Sequence, residues 1–159
     1  MFIFVCISTI FFCVVSLLST IDFNSLGSGN VDVNDIVNDP EKYFLYVDLR
    51  ASSLQPFDLT GIPDIGDRDN PYSTSKPPTW AYLLGLEGIH GVLFLDELGH
   101  AAPDVSNALF QVVLDKKAGP VKFSEGVFVV AASNLAGEFD PASGSSALPQ
   151  PLINRFNVV

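Results

Sequence analysis

Two short, uncharged apolar runs, residues 91–95 (GVLFL) and 127–132 (VFVVAA), flank a helical pattern. Nothing else in the chain constrains its fold as strongly. Runs of this length without polar alternation suit strands buried on both faces, as parallel strands are. Between them, Pro103 suits a first helical turn. Val105, Ala108, Leu109, Val112 and Val113 recur at i, i+3, i+4, i+7 and i+8, which is one helix face. Lys116 and Lys117 suit the negative C-terminal end of that helix, and Gly119 suits its stop. Strand, helix and strand over about 40 residues predict a βαβ unit with parallel strands. The expected fold class is therefore α/β, a parallel sheet with helices on both faces.

The rest of the chain divides by composition. Residues 1–21 carry no charged side chain, and the run 2–18 (FIFVCISTIFFCVVSLL) approaches the roughly 20 apolar residues that span a bilayer. This predicts an apolar N-terminal helix, with three readings open: a membrane anchor, a signal peptide, or a start outside the native frame. The signal-peptide reading lacks a basic n-region. Residues 22–42 read as an acidic linker (SLGSGNVDVNDIVNDPEK from 25), leaving 43–159 as the folded core. Within that core, 43–49 (YFLYVDL) reads as a strand. Residues 51–80, punctuated by Pro56, Gly61, Pro63, Gly66, Pro71, Pro77 and Pro78, read as loop.

Length and charge exclude several classes of protein. The 159 residues suit one domain, and 48% apolar against 16% charged residues exclude a disordered acidic tail. A net charge of −10 argues against bulk binding to nucleic acid. It leaves room for a nucleotide site, because a nest of backbone N–H groups or one Arg can override the average locally. Cys6 and Cys13 are the only cysteines and both lie in the apolar leader, so the core holds no disulfide framework and no Cys-based zinc site.

The chemistry concentrates after the first apolar run. Asp96 and Glu97 follow it directly, where the carboxyl end of a parallel strand presents ligand-binding groups. Buried carboxylates need a counter-charge, and a magnesium ion bridged to phosphates supplies one. Asn134 ends the second run and would reach the same crevice. Arg155 follows a short turn, 151–156 (PLINRF). His100 beside Asp96 and Glu97 makes a weak metal candidate, since no helix is expected across 96–100 to give ligand spacing. His90, Ser52, Ser53 and the cluster 143–146 lack a catalytic context of their own. Trp80 and most of the 13 Phe read as core.

In that order and spacing, these segments resemble the AAA+ ATPase core, in its MoxR-like, dynein-related branch. The resembling residues are GVLFLDELGHAAPDVSNALFQVVLDKK (91–117), VVAASN (129–134) and PLINRF (151–156). YFLYVDLRASSLQPFDLTGIP (43–63) and Thr79-Trp80 resemble the family's second strand and the segment after it. The resemblance implies a partial P-loop NTPase sheet that binds and hydrolyses ATP with Mg2+ to remodel a protein partner. Asp96 would hold the magnesium ion through water. Glu97 would orient the attacking water, Asn134 would contact that water or the γ-phosphate, and Arg155 would act as an arginine finger on a neighbouring subunit. Such a finger implies a homo-oligomeric ring, and the loop near 61–80 would face its pore or substrate side. The core would be cytoplasmic, with membrane association through 2–18 if the leader is an anchor.

The chain departs from the family in one important respect. The family's GxxxxGK[ST] motif, whose N–H groups and Lys grip the phosphates, is not among these residues. Gly27-Ser28-Gly29-Asn30 has no Lys, Lys42 stands too close to the next strand, and Lys76 lies beyond it. Nor does a helical lid follow Arg155. The expectation is the middle of an AAA+ module, with catalysis by this chain alone left open. The alternative is a nucleotide-incompetent, membrane-tethered interaction module. Losing a first strand and helix would also bare a sheet edge or face, a gap that the apolar leader could fill.

Overall fold

The computed structural model describes residues 2–4, 19–26, 31–64 and 74–133. In chain order the elements are β1 (Phe2–Phe4), β2 (Ser19–Asp22), α1 (Val33–Asn38), β3 (Tyr43–Arg50), α2 (Pro56–Thr60), β4 (Ile62–Asp64), β5 (Thr74–Lys76), α3 (Thr79–Leu84), β6 (His90–Asp96), α4 (Pro103–Asp115), β7 (Lys117–Ala118), β8 (Val121–Lys122) and β9 (Val127–Ser133). The two apolar runs are adjacent parallel strands, with Leu93 opposite Val129 and Leu95 opposite Ala131. The main sheet has the order β1-β9-β6-β3-β2. Four of its strands are parallel, and β1 joins β9 antiparallel.

The four parallel strands lie side by side in sequence order, without reversal. Right-handed crossovers that always step the same way place every connecting helix on the same face. The packing agrees. Ile36 of α1, Leu59 of α2, Leu83 of α3 and Leu109 of α4 are at most 1% exposed and share one cluster with Leu45, Val47, Leu93, Leu95 and Val127. Of the helices expected on both faces, the four among the described residues all cover the same one. The other face carries Tyr46, Val92, Phe94, Phe128 and Val130, all half-buried. The Tyr46 and Phe94 rings stack there at 6.5 Å.

α4 spans the predicted residues, but its stop differs. Lys116, not Gly119, takes the left-handed cap, with φ 48°. Its Nζ donates to the carbonyl of Val127 at 3.0 Å, which ties the helix end to the start of β9. Gly119 instead turns the β7–β8 hairpin at φ 54°. The stretch read as an acidic linker holds α1. Its acids are caps: Asp32 Oδ1 accepts from Val33 N at 2.7 Å, and Asp35 Oδ2 accepts from Asp32 N at 2.8 Å. Those caps satisfy the first turn of a helix that buries Ile36 completely. The stretch 51–80, read as loop, is likewise structured in α2, α3 and the antiparallel β4–β5 pair. Trp80 is buried, and its Nε1 donates to the Asp58 carbonyl at 3.1 Å.

The predicted apolar helix falls mostly on residues 5–18, outside the described residues, and Phe2–Phe4 is a strand. Among the described residues no helix is long and apolar enough to cross a membrane.

Candidate functional site

β6 delivers Asp96 to the carboxyl end of the sheet. Asp96 closes the strand, with its Cα opposite that of Arg50, the last residue of β3. Period-2 alternation on β6 buries Leu93 and Leu95 and turns Phe94 and Asp96 to the other face. Glu97 then leaves the strand in the left-handed region, at φ 54° and ψ 37°. A non-glycine residue pays about 1–2 kcal/mol for that conformation, and such outliers cluster where a side chain must be aimed. Here the turn is held from both ends. Glu97 N donates to Asp96 Oδ1 at 2.9 Å, and His100 N donates to the Glu97 carbonyl at 2.8 Å.

A buried bond also ties this turn to β9. Gly99 N donates to Ser133 Oγ at 3.1 Å, and Ser133 is 4% exposed. The strand end leading into Asn134 is thereby fastened to the Asp96–Glu97 turn. Asn134 and Arg155 themselves lie outside the described residues, as do residues 27–30 and 143–146.

Two residues that the sequence reading left without a role here meet Glu97. The Ser52 hydroxyl donates to Glu97 Oε2, and Arg50 Nε stands 3.8 Å from Oε1. The Arg50 pair is solvent-exposed on both sides, 63% and 41%, so it contributes at most about 1 kcal/mol. The signal was the stretch DLRASS (48–53), with a cation and hydroxyls just past a strand. Recognising it required knowing that β3 lies beside β6.

The rim is acidic on the face away from the helices. Partial burial, then the negative charge of Asp96, raises Asp48 above the ordinary carboxylate range, while Arg50 pulls the other way. Although Asp48 keeps exposed surface, the strands on either side remove part of its water. Tyr46 is raised for similar reasons: burial first, then Asp48, Asp22 and Asp96. A divalent cation with oxygen ligands suits such a field, and one carboxylate plus water is how magnesium is held when phosphates supply the remaining ligands. Among the described residues, no Gly-rich nest with a Lys offers to grip a triphosphate.

The weaker candidates separate from this rim. His90 opens β6, six residues from Asp96 at the opposite end of the sheet, where its Nδ1 is buried without a hydrogen-bond partner. His100 sits in the 3-10 turn after Glu97. Among the described residues no three His, Cys, Asp or Glu side chains converge on a common point. The β4–β5 pair, in the stretch expected near a pore, borders a groove of about 460 Å3 lined by Phe57, Ile62, Pro63, Pro77 and Pro78. Phe57 and Ile62 are exposed there. Gly61 makes its turn possible: at φ 84°, a side chain would run into the Lys76 carbonyl.

A scan against protein-family models gives no match, and neither does a search of curated proteins. The structure itself shows an α/β fold, built on four parallel strands with flanking helices, whose sheet presents an adjacent Asp–Glu pair at its carboxyl end.

Proposed function

We propose that this domain is the central part of an AAA+ ATPase core of MoxR-like type, coupling ATP hydrolysis to remodelling of a protein partner. One observation carries this reading: Asp96 and Glu97 stand at the carboxyl rim of a central parallel strand, with the turn between β6 and α4 bonded to the end of the neighbouring strand. In it, Asp96 holds a magnesium ion through water, and that ion supplies charge neutralisation for the phosphates. Glu97 orients the attacking water. Ser52 and Arg50 fix where its carboxylate rests. Asn134, the residue after β9 in sequence, contacts that water or the γ-phosphate, and Arg155 serves a neighbouring subunit in a ring. Phosphoryl transfer asks for this positioning and charge compensation more than for covalent help.

The test is binding of a fluorescent ATP analogue with and without Mg2+, together with hydrolysis by Glu97→Gln. The expected result is Mg2+-dependent binding that survives the substitution, with hydrolysis lower by about 100-fold or more. Absence of nucleotide binding at millimolar concentration would overturn the reading for this chain and favour an interaction module without turnover.

A further inference from the structure

Among the described residues, one polar side chain is buried, that of Ser133. Burying a hydroxyl costs free energy unless it is bonded, so its place needs a reason. Ser133 closes β9, and its Oγ accepts from the N–H of Gly99, 34 residues away in the chain. Gly99 is itself buried, in the 3-10 turn Leu98–His100 that follows Glu97. The first N–H groups of a helical turn have no partner within the turn. One that is buried and left unpaired is costly, and Ser133 removes that cost. Leu98 and Ala101 are buried in the core cluster and hold the turn on the side of the helices. Ser133 holds it on the side of β9.

Glu97 needs such support. A non-glycine residue keeps a left-handed backbone only where its surroundings over-determine it. The side-chain contacts that touch Glu97 directly are open to water. The Ser52 hydroxyl and the Arg50 guanidinium reach its carboxylate from exposed positions, and Asp96 Oδ1 accepts its N–H in a bond that is only partly buried. The bond between Gly99 and Ser133 is the buried one. In surroundings of low dielectric a hydrogen bond is stronger, and breaking it costs more. That bond therefore decides whether the turn after Glu97 stays closed, although it touches no atom of Glu97.

We propose that Ser133 is a positioning residue for Glu97. Its hydroxyl, acting through the Gly99 N–H, holds residues 97–100 in their turn. It thereby keeps Glu97 in the left-handed conformation from which its carboxylate meets Ser52. The consequence for hydrolysis rests on the ATPase reading, whereas the hold on the turn does not.

The experiment compares three variants of the full chain with the wild type. Ser133→Ala removes the acceptor and Ser133→Thr keeps it. Val127→Ala opens a cavity in the same strand at its other end. Amide hydrogen exchange is read first, at Gly99 and His100 relative to Leu93 in the core of β6. In Ser133→Ala it should rise about 10-fold at both, the effect of one lost bond to a buried donor. It should return toward the wild-type value in Ser133→Thr and stay unchanged in Val127→Ala. Hydrolysis is read second. At saturating Mg2+ and ATP the rate of Ser133→Ala should fall about 10-fold, with nucleotide affinity held within about twofold. Ser133→Thr should restore the rate, and Val127→Ala should keep it per folded molecule.

Unchanged exchange at Gly99 in Ser133→Ala overturns the proposal, as does an equal rise in Val127→Ala. A loss of nucleotide affinity that matches the loss of rate overturns the positioning role. If the wild-type chain binds no nucleotide, the ATPase reading fails by itself. The exchange comparison uses no nucleotide and still decides the hold of Ser133 on the turn. The two alanine variants suffice if the threonine variant does not fold.

Discussion

Leu93 and Val92 are neighbours on one strand and live in different halves of the molecule. Leu93 is fully buried beneath four helices, while Val92 is half-buried on the face where none of the described helices packs. The difference follows from connectivity. With strands placed in sequence order, each crossover adds its helix to the same side, so the chain between β2 and β9 can finish only one half of its own core. The same asymmetry shapes the rim, where Asp48 and Asp96 emerge on the face away from the described helices, offset by two residues near the ends of adjacent strands.

The sharpest way to break that contrast is truncation on the two faces of β6. Leu93→Ala should cost about 2–5 kcal/mol by chemical denaturation, the range for a fully enclosed aliphatic side chain. Val92→Ala should cost no more than about 1.5 kcal/mol, since it loses fewer methyl groups from a half-buried site. Equal costs would mean that the two faces are packed alike.

Where the faces meet, Glu97→Gly should stabilise the fold by about 0.5–1 kcal/mol, because glycine adopts the left-handed turn without the steric cost that Glu97 bears at φ 54°. A thermal melt reads this gain. Destabilisation instead would show that the contacts of Glu97 with Ser52 and Arg50 outweigh the backbone cost.

The smallest effect belongs to Asp48. Its folded pKa is raised, so the folded state binds more protons than the unfolded one, and stability falls as pH rises from the ordinary carboxylate value through the raised one. Asp48→Asn should therefore remove that loss. It should raise Tm by about 1–2 °C near pH 7 and leave it unchanged near pH 3. Equal effects at both pH values would remove charge from the account of that rim.

Much of this was legible in the order of residues. The uncharged runs 91–95 and 127–132 became parallel neighbours, and the periodic residues from Val105 to Val113 became one helix. The placement of Asp96 and Glu97 at a strand's carboxyl end followed from the same local pattern. Other features were hidden because their signal was shared. Asp32 and Asp35 read as a solvated linker, since the composition of a cap and of a loop is the same until Ile36 is seen to be enclosed. Gly119 read as a helix stop, although Lys116 ends the helix and Gly119 serves the following hairpin.

The sequence by itself determined three of the sheet's strands, the main helix and the acid pair, because each depends on periodicity or adjacency within a few residues. Tertiary structure alone decided that the four described helices share one face, and that Ser52 bonds Glu97 across 45 residues of chain. Both depend on which strand lies beside which and in what register, and no local pattern carries that information.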